Sequence, residues 1–316
     1  MPTSLKRAPA RPPEQTVPAP PRRRSARSRR SLTGWAYAAP TALFVTLFFA
    51  VPVLLVGRMS ISDWGLFAGN RGVDFPDNFT DAVDLRLFWP AVRFTVKYTV
   101  ITTVILIGLS LVLALLVQES TRWTGFLRTA VLVPGALGLA SASLLFYALY
   151  SPQSGPFGEV LRDVGLADGP VSFLGTPDAA LWSTVGLIVW RFAGFYTLLL
   201  LVALQGISAD VYEAAELDGC NRWQRFTRIT LPLLRSSLAM CAILCVTGSL
   251  LAFDQFYILT KGGPDNGTMT IVQLIYNAAF QGGNDLGLAA ALSIIVLVAL
   301  LVLNLGQFRW LRGKDA

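Results

Sequence analysis

Six long apolar stretches, separated by polar or Gly/Pro-containing connections, set the pattern of this chain. They run approximately over residues 35–56, 95–117, 127–150, 181–204, 233–259 and 286–308. A bilayer core of about 30 Å is crossed by about 20 helical residues, and each stretch meets that length. The pattern predicts an all-α integral membrane protein of six transmembrane helices. Residues 60–90 and 151–178 read as irregular connecting loops without a domain of their own. Residues 205–232, between the fourth and fifth stretches, form a polar connection with a helical pattern inside it.

Composition agrees with this division. Hydrophobic residues make up 53% of the chain and charged residues 14%, against about 25% charged in an ordinary soluble domain. The net charge of +7 does not point to nucleic acid, because the basic residues concentrate before the first stretch. Arg22, Arg23, Arg24, Arg27, Arg29 and Arg30 crowd there, in a segment (1–33) of Pro, Arg, Ala and Ser that lacks the apolar surface needed to order itself. That segment is predicted to be a disordered, basic cytosolic tail, with residues 34–316 as the membrane domain.

The same arginines orient the chain. Nine basic residues before Trp35 place the N-terminus inside by the positive-inside rule, and an even number of spans returns the C-terminus inside. The inward connections then hold Arg122 and Arg128, then Arg222, Arg225, Arg228 and Arg235, and finally Arg309, Arg312 and Lys314. The outward connections carry Asp63, Asp74, Asp77, Asp81 and Asp84, then Glu159, Asp163, Asp168 and Asp178. Ser28-Arg29-Arg30 ahead of an apolar run also permits a twin-arginine export signal. The length of residues 35–56 favours a first span instead.

Enzyme chemistry starts at a disadvantage. The chain has no histidine, hence neither the usual general base nor the commonest metal ligand. Its cysteines are Cys220, Cys241 and Cys245; the latter pair sits one helical turn apart in an apolar run and reads as packing, with no metal implied. No G-x-x-x-x-G-K-[ST] loop for phosphate binding occurs. A membrane enzyme or assembly factor would instead show clustered carboxylates or histidines at a membrane face.

Residues 208–231 carry the most information. Asp210, three residues before Glu213, suggests a capping box, and Asp218-Gly219 supplies a helix stop about two turns later. Ala214 and Ala215 give that helix a low-profile patch beside Glu213 and Glu216, suited to docking in a groove. Beyond it Trp223, Phe226 and Ile229 alternate with Arg222, Arg225 and Arg228, the pattern of an interfacial amphipathic helix. Pro232 opens the next span.

In order, Glu213-Ala214-Ala215, Gly219, Ile229 and Leu231-Pro232 resemble the EAA signature of binding-protein-dependent ABC importer permeases, which occupies this same cytosolic loop. Phe253-Asp254-Gln255 and Leu259-Thr260-Lys261-Gly262-Gly263-Pro264 resemble the carbohydrate branch of that family, the maltose and glycerol-phosphate permeases. Cys220 departs from the alanine usual there but keeps a small side chain. The resemblance implies a permease subunit of an ATP-driven importer in a prokaryotic cytoplasmic membrane. Its implied partners are a second permease, two ATPase subunits and an extracytoplasmic solute-binding protein, with lipid around it and no nucleic acid. ATP with magnesium would bind the ATPase subunits, and this chain would hold no cofactor. Glu213, Ala214, Ala215, Gly219, Ile229, Leu231 and Pro232 would couple to the ATPase. An oligosaccharide is the expected cargo; glycerol-phosphate, a polyol or an amino acid would use the same machinery.

Polar side chains at membrane depth supply candidates for the path. Arg191 lies about ten residues into the fourth stretch, about 15 Å deep. Asp254 lies about 22 residues past Pro232, hence about 33 Å up a straight helix, near the outer rim. Gln255, Tyr257 and Tyr276 near it are able to bond to and stack on a sugar, or to belt the interface. Gly135, Gly138, Ala142, Ser143, Thr247, Gly248 and Ser249 read chiefly as close-packing positions.

Overall fold

A computed structural model describes residues 37–119, 121–167 and 169–312, with side chains to residue 309. The basic tail, Trp35, Asp168 and Lys314 lie outside the described residues. The chain divides into two compact units, residues 1–54 and 55–316. In the first, residues 37–54 belong to helix α1 (Tyr37–Met59), which carries a single π-turn at Thr46–Ala50. Pro52, having no N–H to give, lies two residues beyond that turn. The apolar side chains of this segment, Phe48, Phe49 and Leu54 among them, are exposed. The Phe44 and Phe48 ring centroids lie 4.8 Å apart, with the rings tilted by 37°.

The second unit is a helical bundle with a small cap at one end. A hairpin, β1 (Ser62–Gly65) and β2 (Gly69–Val73), leads to helix α2 (Asp77–Asp84). This corrects the expectation of an irregular loop. The strands are too short and polar to alternate visibly, and the turn depends on Gly69 at φ +70°. Buried Asn78 on α2 donates to the carbonyls of Ser60 and Ser62 at 3.3 and 3.0 Å, fixing the helix against the strand.

Helix α3 (Phe88–Leu116) and helix α7 (Pro177–Gln205) each have 29 residues and pack along one another. Fully buried Ser110 donates to the Ala193 carbonyl at 3.2 Å, an approach that a larger side chain would block. Between them in sequence lie α4 (Arg122–Leu132), α5 (Leu139–Leu149) and the short helix α6 (Pro156–Asp163). The third apolar stretch is therefore not one straight helix. It turns by 98° between α4 and α5, where Pro134, Gly135 and Gly138 remove a donor and relax the backbone.

After α7 come α8 (Ala209–Leu217), α9 (Arg222–Leu233) and α10 (Arg235–Leu250). Helices α9 and α10 meet at 65°. Pro232 cannot donate to the Arg228 carbonyl, and the turn before it widens to a π-turn at Phe226–Thr230. The fifth stretch then breaks again at residues 251–253 before α11 (Asp254–Leu259). Helix α12 (Ile271–Phe280) and helix α13 (Leu286–Arg312) complete the order. Thr95 of α3 accepts from the Ile271 N–H at 3.0 Å, which holds the start of α12 against the bundle. Among the described residues, four helices have spanning length on their own and the two bent pairs raise the number to six.

Candidate functional site

Two regions gather the residues singled out in the sequence. The first is the connection from α7 to α9. Helix α8 is capped by Ser208, whose hydroxyl accepts from the Asp210 N–H at 3.2 Å. The cap thus falls two residues before the expected Asp210, which sits in the first turn where its charge favours the helix N-terminus. At the other end Gly219 adopts φ +77°. The Cys220 N–H returns to the Ala215 carbonyl at 2.9 Å and the Gly219 N–H to that of Glu216 at 3.0 Å, the paired bonds of a Schellman stop. A side chain at this left-handed position costs about 1–2 kcal/mol.

Glu213 and Ala214 are exposed on α8, whereas Ala215 turns inward and is buried. Leu217, one turn beyond Glu213, is 90% exposed, and Val211 is exposed as well. Helix α8 is tied to α9 twice. Glu216 pairs with Arg225, and the Tyr212 and Thr230 hydroxyls lie 3.1 Å apart, with Thr230 buried. Ile229 is half-buried beside Thr230. Leu231 and Pro232 line an apolar groove of about 590 Å³ with Leu238, Ala239 and Ala242. The motif is therefore split between an exposed helix and a bend that begins the fifth span, with Tyr212 and Thr230 joining the halves.

The second region is a cavity of about 140 Å³ within the bundle. Tyr98 of α3, Phe192 of α7, Gly248 and Ser249 of α10, and Asp254 and Gln255 of α11 line it. The straight-helix distance to Asp254 is superseded, because the break at residues 251–253 starts a new helix and brings Asp254 to the cavity wall. Gln255 is 2% exposed. Its amide donates to the Tyr98 hydroxyl at 3.2 Å, while its Oε1 has no hydrogen-bond partner among the described residues. A buried acceptor left unpaired is unfavourable by about 1–3 kcal/mol.

The remaining candidates lie elsewhere. Arg191 does not line the cavity; its guanidinium sits 4.7 Å from the Phe192 ring centroid, and its Nε has no hydrogen-bond partner among the described residues. Tyr257 and Tyr276 join Phe253 and Phe280 in a ring cluster, with Phe253 stacked on Tyr257 at 5.0 Å and Gln281 donating to the Tyr257 hydroxyl at 3.1 Å. Cys241 and Cys245 are buried in the core with Tyr196 and Leu234. Tyr98 was missed in the sequence, although a tyrosine inside an apolar stretch is itself a signal.

Known proteins agree with this architecture. A trehalose/maltose transport system permease of Thermococcus litoralis is 32% identical over 286 residues, 89% of this chain and 96% of its own length. A lactose transport system permease of Rhizobium radiobacter is 30% identical over 284 residues, 88% of this chain and 93% of its own. A chain of a bacterial alginate ABC transporter, crystallised with a pentasaccharide-bound periplasmic protein, shares the fold with a TM-score of 0.78 at 24% identity, over 90% of this chain and 96% of that one. The model of the binding-protein-dependent transport system inner membrane component matches residues 25–310. This chain belongs to that family and is a multi-pass membrane permease subunit.

Proposed function

We propose that the chain carries a carbohydrate, in the first instance an oligosaccharide, inward across the cytoplasmic membrane of a prokaryote as one permease of an ABC importer. The carrying observation is the cavity between α3, α7, α10 and α11. Its polar lining includes the Asp254 carboxylate, the Gln255 amide and the Tyr98 and Ser249 hydroxyls, groups matched to sugar hydroxyls, set among aromatic rings able to pack against a sugar face. The relatives named above, which transport trehalose/maltose and lactose, support the same cargo class. A second reading, import of glycerol-phosphate, a polyol or an amino acid, keeps the machinery and changes only the cargo.

In this reading α8 presents Glu213, Ala214 and Leu217 to a cleft of an ATPase subunit, and both termini lie in the cytosol. Magnesium-ATP binds two such subunits, a second permease completes the path, and an extracytoplasmic binding protein loads it. Closure of the ATPase pair pushes α8, and the ties Glu216–Arg225 and Tyr212–Thr230 carry that displacement to α9 and α10. The test is radiolabelled uptake in the source cell with and without the gene, across di- and oligosaccharides. Loss of one sugar's uptake, restored by the intact gene, is expected; uptake unchanged across the whole panel contradicts the carbohydrate reading.

A further inference from the structure

The groove at the start of the fifth span lies apart from the inner cavity. It has a volume of about 590 Å³ and runs between α3, which contributes Ile107, and the bend from α9 into α10. One wall is a single stripe of α10, because Arg235, Leu238, Ala239 and Ala242 fall at i, i+3, i+4 and i+7. Two of these four are alanines, whose short side chains leave the groove open. Seven residues at 1.5 Å each make the stripe about 10 Å long.

The approach to this groove is basic and aromatic. Arg228 is exposed and sits one turn before Leu231 and Pro232, which line the groove. The π-turn at Phe226–Thr230 takes up one residue more than an α-turn. The eight residues from Trp223 to Leu231 therefore amount to about two turns, and the two side chains stand on one side of α9. Trp223 is 71% exposed and Arg222 beside it is exposed too. Arg225 is turned the other way, to Glu216. Arg222 and Arg228 make no ion pair among the described residues, and no carboxylate is among the described residues lining the groove.

An apolar trough along a membrane span, with arginines and an indole at its mouth, fits a molecule that is apolar along its length and anionic at one end. An acyl chain lies against Leu238, Ala239 and Ala242, the phosphate meets the guanidinium groups, and the indole takes the headgroup level. A zwitterionic headgroup carries its own ammonium beside the same phosphate and gains less from arginine. We propose that the groove seats one chain of an anionic phospholipid, phosphatidylglycerol or cardiolipin, with Arg228 and Arg222 holding its phosphate. A packed protein helix needs no cations at that mouth.

The test keeps the importer whole. The tagged chain, carrying the photoreactive amino acid p-benzoylphenylalanine at position 242, is irradiated in membranes of the source cell, and its adducts are identified by mass spectrometry. The phospholipid composition of the same membranes is the reference. Adducts with phosphatidylglycerol or cardiolipin, enriched about fivefold over their share of the membrane, are expected, with the enrichment lost in Arg228→Gln. Lipid adducts in membrane proportion overturn the anionic selection. An adduct with a peptide, whether from helix α1, a second copy or another subunit, overturns lipid as the occupant.

A second measurement leaves position 242 unchanged. The tagged importer, purified in detergent with added phosphatidylcholine, is expected to retain anionic phospholipid. Arg228→Gln, and Ala239→Phe, which fills the groove, should each retain about fivefold less. Equal retention by the wild type and both variants overturns the site.

Discussion

The α7–α9 connection and the inner cavity are built in opposite ways. The connection is made by consecutive residues: one short helix, one left-handed glycine, and two side-chain ties across a four-residue turn. The cavity takes one to three residues from each of five helices, α3, α5, α7, α10 and α11, spread over positions 98 to 255. On the function proposed above, the surface for the ATPase is encoded by consecutive residues, and the surface for the cargo by the packing of separate helices.

Variants sharpen that contrast. The largest effect is expected from Glu213→Lys, which places a wrong charge on exposed α8; like-charge opposition across an interface costs several kcal/mol, so uptake should fall by more than about a hundredfold. Co-purification of the ATPase subunit with the membrane-inserted variant is the check, and intact co-purification with full uptake would break the docking role of α8. Next is Gln255→Leu, which removes the unpaired acceptor and the bond to Tyr98. Uptake should fall about tenfold, while ATPase co-purification persists. A loss of both would mean that the two regions are not separable.

Smaller effects belong to the ties. Glu216→Arg and Arg225→Glu should each lower sugar imported per ATP hydrolysed about threefold, as expected for a partly exposed ion pair, and the double exchange should restore it. Two singles whose losses simply add in the double would exclude the pair as a transmitting contact.

Smallest is a pH effect at the β1–β2 and α2 cap. Partial burial first, and then the carboxylates of Asp77, Asp63, Asp81 and Asp285, hold the Asp74 pKa above 3.8. The folded state then binds the proton more tightly than the unfolded one, so cap stability is greatest at low pH and declines as pH rises from about 3.8 through the folded value. Protection of the β1–β2 amides from hydrogen exchange, corrected for the intrinsic rate, should show this decline in the wild type and lose it in Asp74→Asn.

Much of this organisation was legible before any coordinates. Apolar length announces a membrane bundle, and Gly219 after Asp218 announces the end of α8, because only a helix stop needs a left-handed residue there. The bend between α4 and α5 has Pro134 as a visible cause, although its angle of 98° does not follow from the residue. The break at residues 251–253 was not legible: Leu251, Ala252 and Phe253 contain neither glycine nor proline, and tertiary packing of Ala252 and Phe256 decides it. With that break hidden, Asp254 was displaced to the rim and Tyr98 was not connected to Gln255, since their hydrogen bond joins residues 157 positions apart. Ser208 lost the cap to Asp210 in the sequence because either residue satisfies the same rule.

The most direct measurement is uptake of the identified sugar into deletion cells carrying either the wild-type gene or Gly219→Val. A Cβ added at Gly219 meets no atom within 4 Å outside its own chain neighbours, so the substitution acts chiefly through the left-handed backbone that ends α8. Membrane-inserted Gly219→Val protein with uptake reduced to the deletion level is the predicted result. Wild-type uptake from that variant would contradict a coupling function for the loop.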